Sequence, residues 1–183
     1  DYFEKEILSK CTRNSDGTYN SSKNLEFDKI NLGKLPVKFK NVTGNFNCSA
    51  CELTTLEGCP EHVGGSFRCD ENKLTSLVDG PKRVNGDFNC SDNELTSLEG
   101  APEYTGGTFD CSFNQLTTLD GISKYIGNSF FCVKNKLTTL KGMPTTIYHS
   151  FDCSFNNLTT LEYGPQDVRA NYDCACNELV SLK

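Results

Sequence analysis

Apolar side chains return along this chain every 21 residues. Cysteines stand at 48, 69, 90, 111, 132, 153 and 174, each preceded two residues earlier by an aromatic: Phe46, Phe67, Phe88, Phe109, Phe130, Phe151 and Tyr172. Two apolar positions separated by one residue put both side chains on the same face of a β-strand. Ahead of that strand stand Val42, Val63, Val84, Thr105, Ile126, Ile147 and Val168. Leucines follow it at 53, 74, 95, 116, 137, 158 and 179, and again three residues later, from Leu56 to Leu182. Such a period predicts a solenoid, in which each coil buries its apolar face against its neighbours. One further, degenerate coil is traced through Leu25, Phe27, Ile30 and Leu32.

Between strand and leucines lies Asn72, Asn93, Asn114, Asn135, Asn156 or Asn177, with Cys51 in that place in the first full coil. A buried amide at a sharp turn is expected to bond backbone groups that the turn leaves unpaired. Glycines at 58, 100, 121 and 142 and prolines at 60, 81, 102, 144 and 165 predict an irregular return limb. Each coil therefore reads as a strand, a turn, a second extended segment and a tight return. Residues 1–24 fall outside the frame; Tyr2, Phe3, Ile7 and Leu8 among Glu and Lys predict a short amphipathic helix, and Asn14 to Gly17 a turn. The expected organisation is an N-terminal cap over 1–24 and a solenoid of about eight coils over 25–183.

Charge and cysteine content narrow the function. A formal charge of −6 without a long basic run argues against nucleic acid or an anionic membrane, and favours a protein partner that is basic or neutral at the contact. The eleven cysteines are odd in number and seven fill a core column, so they read as reduced, buried thiols of a cytoplasmic protein rather than a disulfide framework. No 18-residue apolar run is present, so no membrane span is expected.

The run F-x-C-x-x-N-x-L-x-x-L resembles the L-x-L-x-x-N-x-L core of leucine-rich repeats, with Phe and Cys in the first two apolar places, over roughly residues 25 to 183. The short, Pro-containing return is similar to that of bacterial and bacteriophage leucine-rich-repeat proteins, including effectors that pathogens deliver into a host cytosol. The resemblance implies an α/β-solenoid, mostly β: a curved leucine-rich-repeat solenoid with a parallel sheet on its concave face, a short N-terminal helical cap and a protein-binding role.

In such a fold the side chains that alternate with the core face outward. Before the Phe column stand Asn45, Ser66, Asp87, Thr108, Ser129, Ser150 and Asn171, all small and polar. Between Phe and Cys lie Asn47, Arg68, Asn89, Asp110, Phe131, Asp152 and Asp173. Past Cys come Ser49, Asp70, Ser91, Ser112, Val133, Ser154 and Ala175, then Ala50, Glu71, Asp92, Phe113, Lys134, Phe155 and Cys176. Phe113, Phe131, Val133 and Phe155 break this polar field on three consecutive coils, with Asp110, Lys134, Asp152, Asp173 and Arg68 around them. An apolar centre with a charged border is the anatomy of a partner-binding site.

Chemistry is sparse by comparison. The acidic group Asp70, Glu71, Asp87 and Asp92 lacks the dense oxygen spacing of a calcium loop, and Cys48-x-x-Cys51 has no second pair, so no metal or cofactor is expected. His62 and His149 fall on the return limb, away from the Cys column, and no catalytic residue is assigned. The chain reads as a non-catalytic protein-interaction module. Two alternatives stand beside it: the recognition part of a larger effector enzyme of the ubiquitin-ligase type, and a solenoid that stacks end to end on its twin through the last coil, at Tyr172, Leu179 and Leu182.

Overall fold

The computed structural model describes residues 3–27 and 29–180. Tyr2, Leu182 and Lys183 lie outside the described residues. The Phe-x-Cys column forms a parallel sheet of eight two-residue strands, Leu25–Glu26, Phe46–Asn47, Phe67–Arg68, Phe88–Asn89, Phe109–Asp110, Phe130–Phe131, Phe151–Asp152 and Tyr172–Asp173, hereafter the ladder sheet. Its register follows the repeat: Phe67 sits between Phe46 and Phe88, and Phe130 between Phe109 and Phe151. A constant period pairs every column with itself, so one side-chain type runs along the whole axis.

The return limb differs from the irregular path expected of it. The column of Val42, Val63, Val84, Thr105 and Ile126 belongs to a second parallel sheet, whose strands are Phe39–Val42, His62–Val63, Arg83–Val84, Tyr104–Thr105 and Tyr125–Ile126. Thr146–Ile147 and Asp167–Val168 pair separately. The residue after each aliphatic donates its N–H one coil back, as Gly64 does to Val42 O (2.8 Å) and Asn85 to Val63 O (3.0 Å). Two-residue strands are too short for alternation to show in the sequence, which is why only their inward members were visible. The outcome is a mostly β, parallel solenoid in which the ladder sheet and an interrupted return face, a longer sheet followed by a separate two-stranded one, enclose one core.

Among the described residues helix is confined to a π-helical turn, Phe3–Ile7, and a 3-10 turn, Leu8–Lys10. The next residues form an antiparallel hairpin, Cys11–Arg13 with Tyr19–Ser21, closed by Asn14 N–H to Thr18 O at 2.8 Å. Its second strand joins the return sheet beside Phe39–Val42, and Ile7 is fully buried. The first coil is thus covered by paired backbone more than by the amphipathic helix anticipated for residues 1–24.

Inside, the Phe rings meet from coil to coil, stacked for Phe46 and Phe67 (centroids 5.6 Å apart), Phe67 and Phe88 (5.7 Å) and Phe130 and Phe151 (5.9 Å) and tilted for Phe88 and Phe109 and for Phe109 and Phe130. Each fully buried ring contributes roughly 2–3 kcal/mol of hydrophobic stabilisation. Beside them the thiols donate forward, Cys90 Sγ to Asp110 O (3.4 Å) and Cys111 Sγ to Phe131 O (3.4 Å). Thr105 interrupts the aliphatic column, and Ser123 stands where neighbouring coils carry Pro102 and Pro144; the two hydroxyls meet at 3.1 Å, and Ser123 Oγ donates to Pro102 O. Two polar replacements thus satisfy each other in the core.

The asparagines clasp successive coils. Asn114 Nδ2 donates to Cys90 O of the preceding coil (3.0 Å) and to Cys111 O and Ser112 O of its own (3.1 and 3.2 Å), while its Oδ1 accepts Leu95 N–H (2.9 Å). Asn93, Asn135, Asn156 and Asn177 repeat the arrangement. Where Cys51 replaces Asn, its thiol donates instead to Phe27 O at 3.0 Å.

Candidate functional site

The corner that follows each ladder strand positions the candidate residues. Lys29, Ala50, Glu71, Asp92, Phe113, Lys134, Phe155 and Cys176 all have φ between 51° and 61°, the left-handed region, and none is glycine. A side chain in this conformation carries a penalty of about 1–2 kcal/mol. Backbone bonding offsets it: Phe113 N–H donates to Val133 O (2.8 Å) and Phe155 N–H to Ala175 O (2.9 Å). The corner lifts these side chains away from the core, and Phe113 and Phe155 are 46% and 55% exposed. They do not fold back to pack beneath their own turns. Lys134 occupies the coil between them, with its Nζ 5.2 Å from the Phe113 ring centroid.

Phe113, Phe131 and Val133 converge with Asp92, Asp110 and Asp152 on a depression of about 400 Å³. A second, of about 380 Å³, adjoins it and is lined by Arg68, Asp87, Asn89 and Thr108; Asp110 and Phe131 border both. The anticipated cluster is therefore split: Phe113, Phe131 and Val133 share a hollow, whereas Phe155 lines neither depression and stands on the corner beyond Lys134.

The column between Phe and Cys has a structural task that the sequence did not reveal. Oδ1 of Asn47, Asn89, Asp110, Asp152 and Asp173 accepts the N–H two residues ahead, at 2.8–3.1 Å. Phe131 cannot accept such a bond. Ser112 of the preceding coil substitutes, its Oγ taking Val133 N–H at 3.2 Å. Burial pushes the Asp110 carboxyl above the usual aspartate range, and Asp92 and Asp70 add to this; hydrogen bonds from Ser112 oppose it. The small polar column before Phe is likewise occupied: Asn45 Oδ1 accepts Ser66 N–H, and Asp87 Oδ1 accepts Thr108 N–H. A Cβ on Gly107 would come within 2.2 Å of that Asp87 oxygen, which explains the glycine.

The remaining candidates separate. Arg68 grips the buried Asp70 with both arms of its guanidinium, Nε to Oδ1 at 3.0 Å and Nη2 to Oδ2 at 2.8 Å, so Asp70 and Asp87 are engaged in different contacts. Asp173 is exposed on the last described ladder strand. Among the described residues no three His, Cys, Asp or Glu side chains are grouped to hold a metal ion, and no helix is long and apolar enough to cross a membrane. Burial raises the thiols of Cys59, Cys69, Cys90, Cys111 and Cys132 well above their ordinary value, and that of Cys153 to about 12. His149 Nδ1 faces the Ser129 and Ser150 hydroxyls (3.3 and 3.2 Å) rather than a thiol.

One surface feature went unread in the sequence. On the outward face of the return sheet Arg83 lies 3.8 Å from the Tyr104 ring centroid, Tyr104 stacks on Tyr125 at 4.9 Å, Tyr125 meets Tyr148 at 5.9 Å, and Arg169 lies 4.9 Å from the Tyr148 centroid. Arg83, Tyr104 and Tyr125 share a column, a signal that was available; Tyr148 and Arg169 occupy another, two residues along. Tyr104 and Tyr125 face one another and Tyr148 is tilted against Tyr125, so the row braces the sheet.

The fold and site define a mostly β, parallel solenoid with an aromatic and acidic hollow on its ladder sheet. Compared with known proteins, the chain matches no protein-family model, no curated protein and no solved structure.

Proposed function

We propose that this chain is a non-catalytic protein-binding module of the leucine-rich-repeat type, which captures a partner protein on the outward face of its ladder sheet. The observation that carries this reading is the placement of Phe113 and Phe155 at strained corners, 46% and 55% exposed, beside the hollow that Phe113 shares with Phe131 and Val133. Large apolar side chains left about half in water at a conformational penalty forgo much of the hydrophobic stabilisation that full burial gives. They have the character of interface anchors, each worth about 2 kcal/mol or more when a partner desolvates it. The leucine-rich-repeat assignment is supported by the Asn clasp, the paired leucines and the parallel ladder sheet; by that resemblance the ladder sheet is the concave face and residues 1–24 the cap.

A reducing, cytoplasmic setting fits the ladder cysteines from Cys69 to Cys153, buried thiols that a core column holds apart from solvent. A non-catalytic role fits the raised thiols, which lack the activating neighbour a nucleophile needs. The test is retention of a partner from a lysate of the source cells on immobilised chain. Wild type is expected to hold a partner that the Phe113→Ala, Phe131→Ala, Phe155→Ala triple variant loses while its circular dichroism is unchanged. Equal retention by both overturns the proposal.

A further inference from the structure

The same hollow has a chemistry of its own, and the following inference rests on the binding role just proposed. We infer that the ladder sheet recognises an extended polypeptide segment bearing an arginine, whose guanidinium lies over Phe131 between the carboxylates of Asp110 and Asp152.

Register supplies the geometry. Phe131 pairs with Asp110 on one side and Asp152 on the other, so one ring is flanked along the axis by two carboxylates. Two strand separations set their backbones about 10 Å apart. A guanidinium that stacks on the ring and donates from both edges spans such a distance, whereas an ammonium, a compact point charge, reaches one carboxylate at a time. Each carboxylate commits Oδ1 to a backbone N–H, Asp110 to Ser112 and Asp152 to Ser154, both at 2.9 Å. A carboxylate offers about four acceptor sites, so each keeps capacity for a ligand beyond these bonds.

Charge points the same way. Among the described residues Asp92, Asp110 and Asp152 line the hollow without a cation; Lys134 at its edge is engaged with Phe113, and Arg68, in the adjoining hollow, with Asp70. The fold itself does not require these charges. In the same column Asn47 and Asn89 accept the equivalent bond at 3.1 and 2.9 Å as neutral amides. A carboxylate used where an amide serves, in a partly buried place that disfavours it, is explained by a cationic partner. Arg68, in the same column two coils before Asp110, shows a guanidinium held on this face by a carboxylate, Asp70, through two nitrogens.

The test selects random dodecapeptides displayed on phage against the full chain, then measures the selected peptides by fluorescence anisotropy. Arginine is expected to be enriched at one position. Citrulline there should weaken binding about tenfold or more, and lysine less than citrulline. Asp110→Asn, Asp152→Asn and Phe131→Leu should each weaken the arginine peptide and leave the citrulline peptide nearly unaffected, while Glu178→Gln changes neither. Asparagine already occupies this column, so the two Asp variants keep the fold, which melting curves check. Peptides lost in Phe131→Leu but indifferent to citrulline overturn the arginine inference and leave the binding role standing. Peptides indifferent to all three substitutions count against both. Failure to select any peptide overturns the inference, and the lysate experiment then decides the binding role separately. Displacement of the peptides by unlabelled chain, with self-association in sedimentation, makes the occupant a second copy and also overturns the inference.

Discussion

Asp110 concentrates the tension between folding and function in one carboxyl. Its value is raised above the ordinary 3.8, first by burial, so the folded chain holds this proton more tightly than the unfolded chain does. The stability this provides is complete below the unfolded value and is lost as pH rises through the folded one. At neutral pH the ionised group is therefore a liability. Asp110→Asn, which keeps the bond to Ser112 N–H, should be more stable than wild type in urea near pH 7, and the difference should close at about pH 4 and below. A variant less stable at neutral pH would show that the carboxylate serves the fold.

Thiols make a second prediction at this scale. Cys176 is the exposed cysteine, whereas Cys69, Cys90, Cys111 and Cys132 are buried with their ionisation suppressed. Iodoacetamide should modify Cys176 rapidly in the native protein and those four only on unfolding, as peptide mass spectrometry would resolve. Rapid native labelling of Cys111 would contradict the ladder.

At the scale of the element, the asparagine clasp adds side-chain bonds between coils to the backbone bonds of the two-residue strands. Removing the Asn114 amide leaves Leu95 N–H and the carbonyls of Cys90, Cys111 and Ser112 without their side-chain partner. Asn114→Ala should cost about 3 kcal/mol or more, since a buried polar group left unmade costs roughly 1–3 kcal/mol. The nearly isosteric Asn114→Asp should cost more still, because its carboxylate faces three carbonyl oxygens; chemical denaturation of both variants checks the order.

The clasp was legible in the sequence because a column of one residue type, broken only at Cys51 among the full coils, announces one buried role. The corner before it was not. Ala50, Glu71, Phe113 and Lys134 share no chemistry, and glycine, the usual signal of a left-handed residue, is absent from the column. The return corner carries Gly58, Gly100, Gly121 and Gly142, all at positive φ, and was visible for that reason, although Asp79 and Tyr163 adopt the same conformation. The hollow was legible as an aromatic break in a polar field. The Asx role of its aspartates was not, because Asp and Asn accept the same bond and the sequence does not show which backbone N–H is near. Likewise the tyrosine row crosses from one column to another between Tyr125 and Tyr148, where a strict 21-residue frame places Thr146 instead.

For the molecule as a whole, the repeat makes cohesion a matter of nearest neighbours. Strand bonds, stacked rings, thiols and asparagines all connect a coil to the next one or the one before, and the described structure has no element that spans the stack. Stability in such an array is close to a sum of coil and interface contributions. Two faces can accordingly be specialised without disturbing each other: Phe131 between two aspartates on the ladder sheet, and stacked tyrosines on the return sheet.

The amide that ties each coil to the one before it also dictates how the protein answers to force. Held by its two ends in an optical trap, the chain has no single interface to shear, and tension falls on one clasp at a time. Extension should proceed as a sawtooth, each rupture freeing one coil and about 70 Å of extended chain, 21 residues in length. With Asn114→Ala, the coil that has lost its clasp should yield at lower force than its neighbours; a single rupture of the whole solenoid would contradict this. A tether of this kind lengthens stepwise under load, so a partner seated across three coils would act as a splint, and its presence would register as missing teeth.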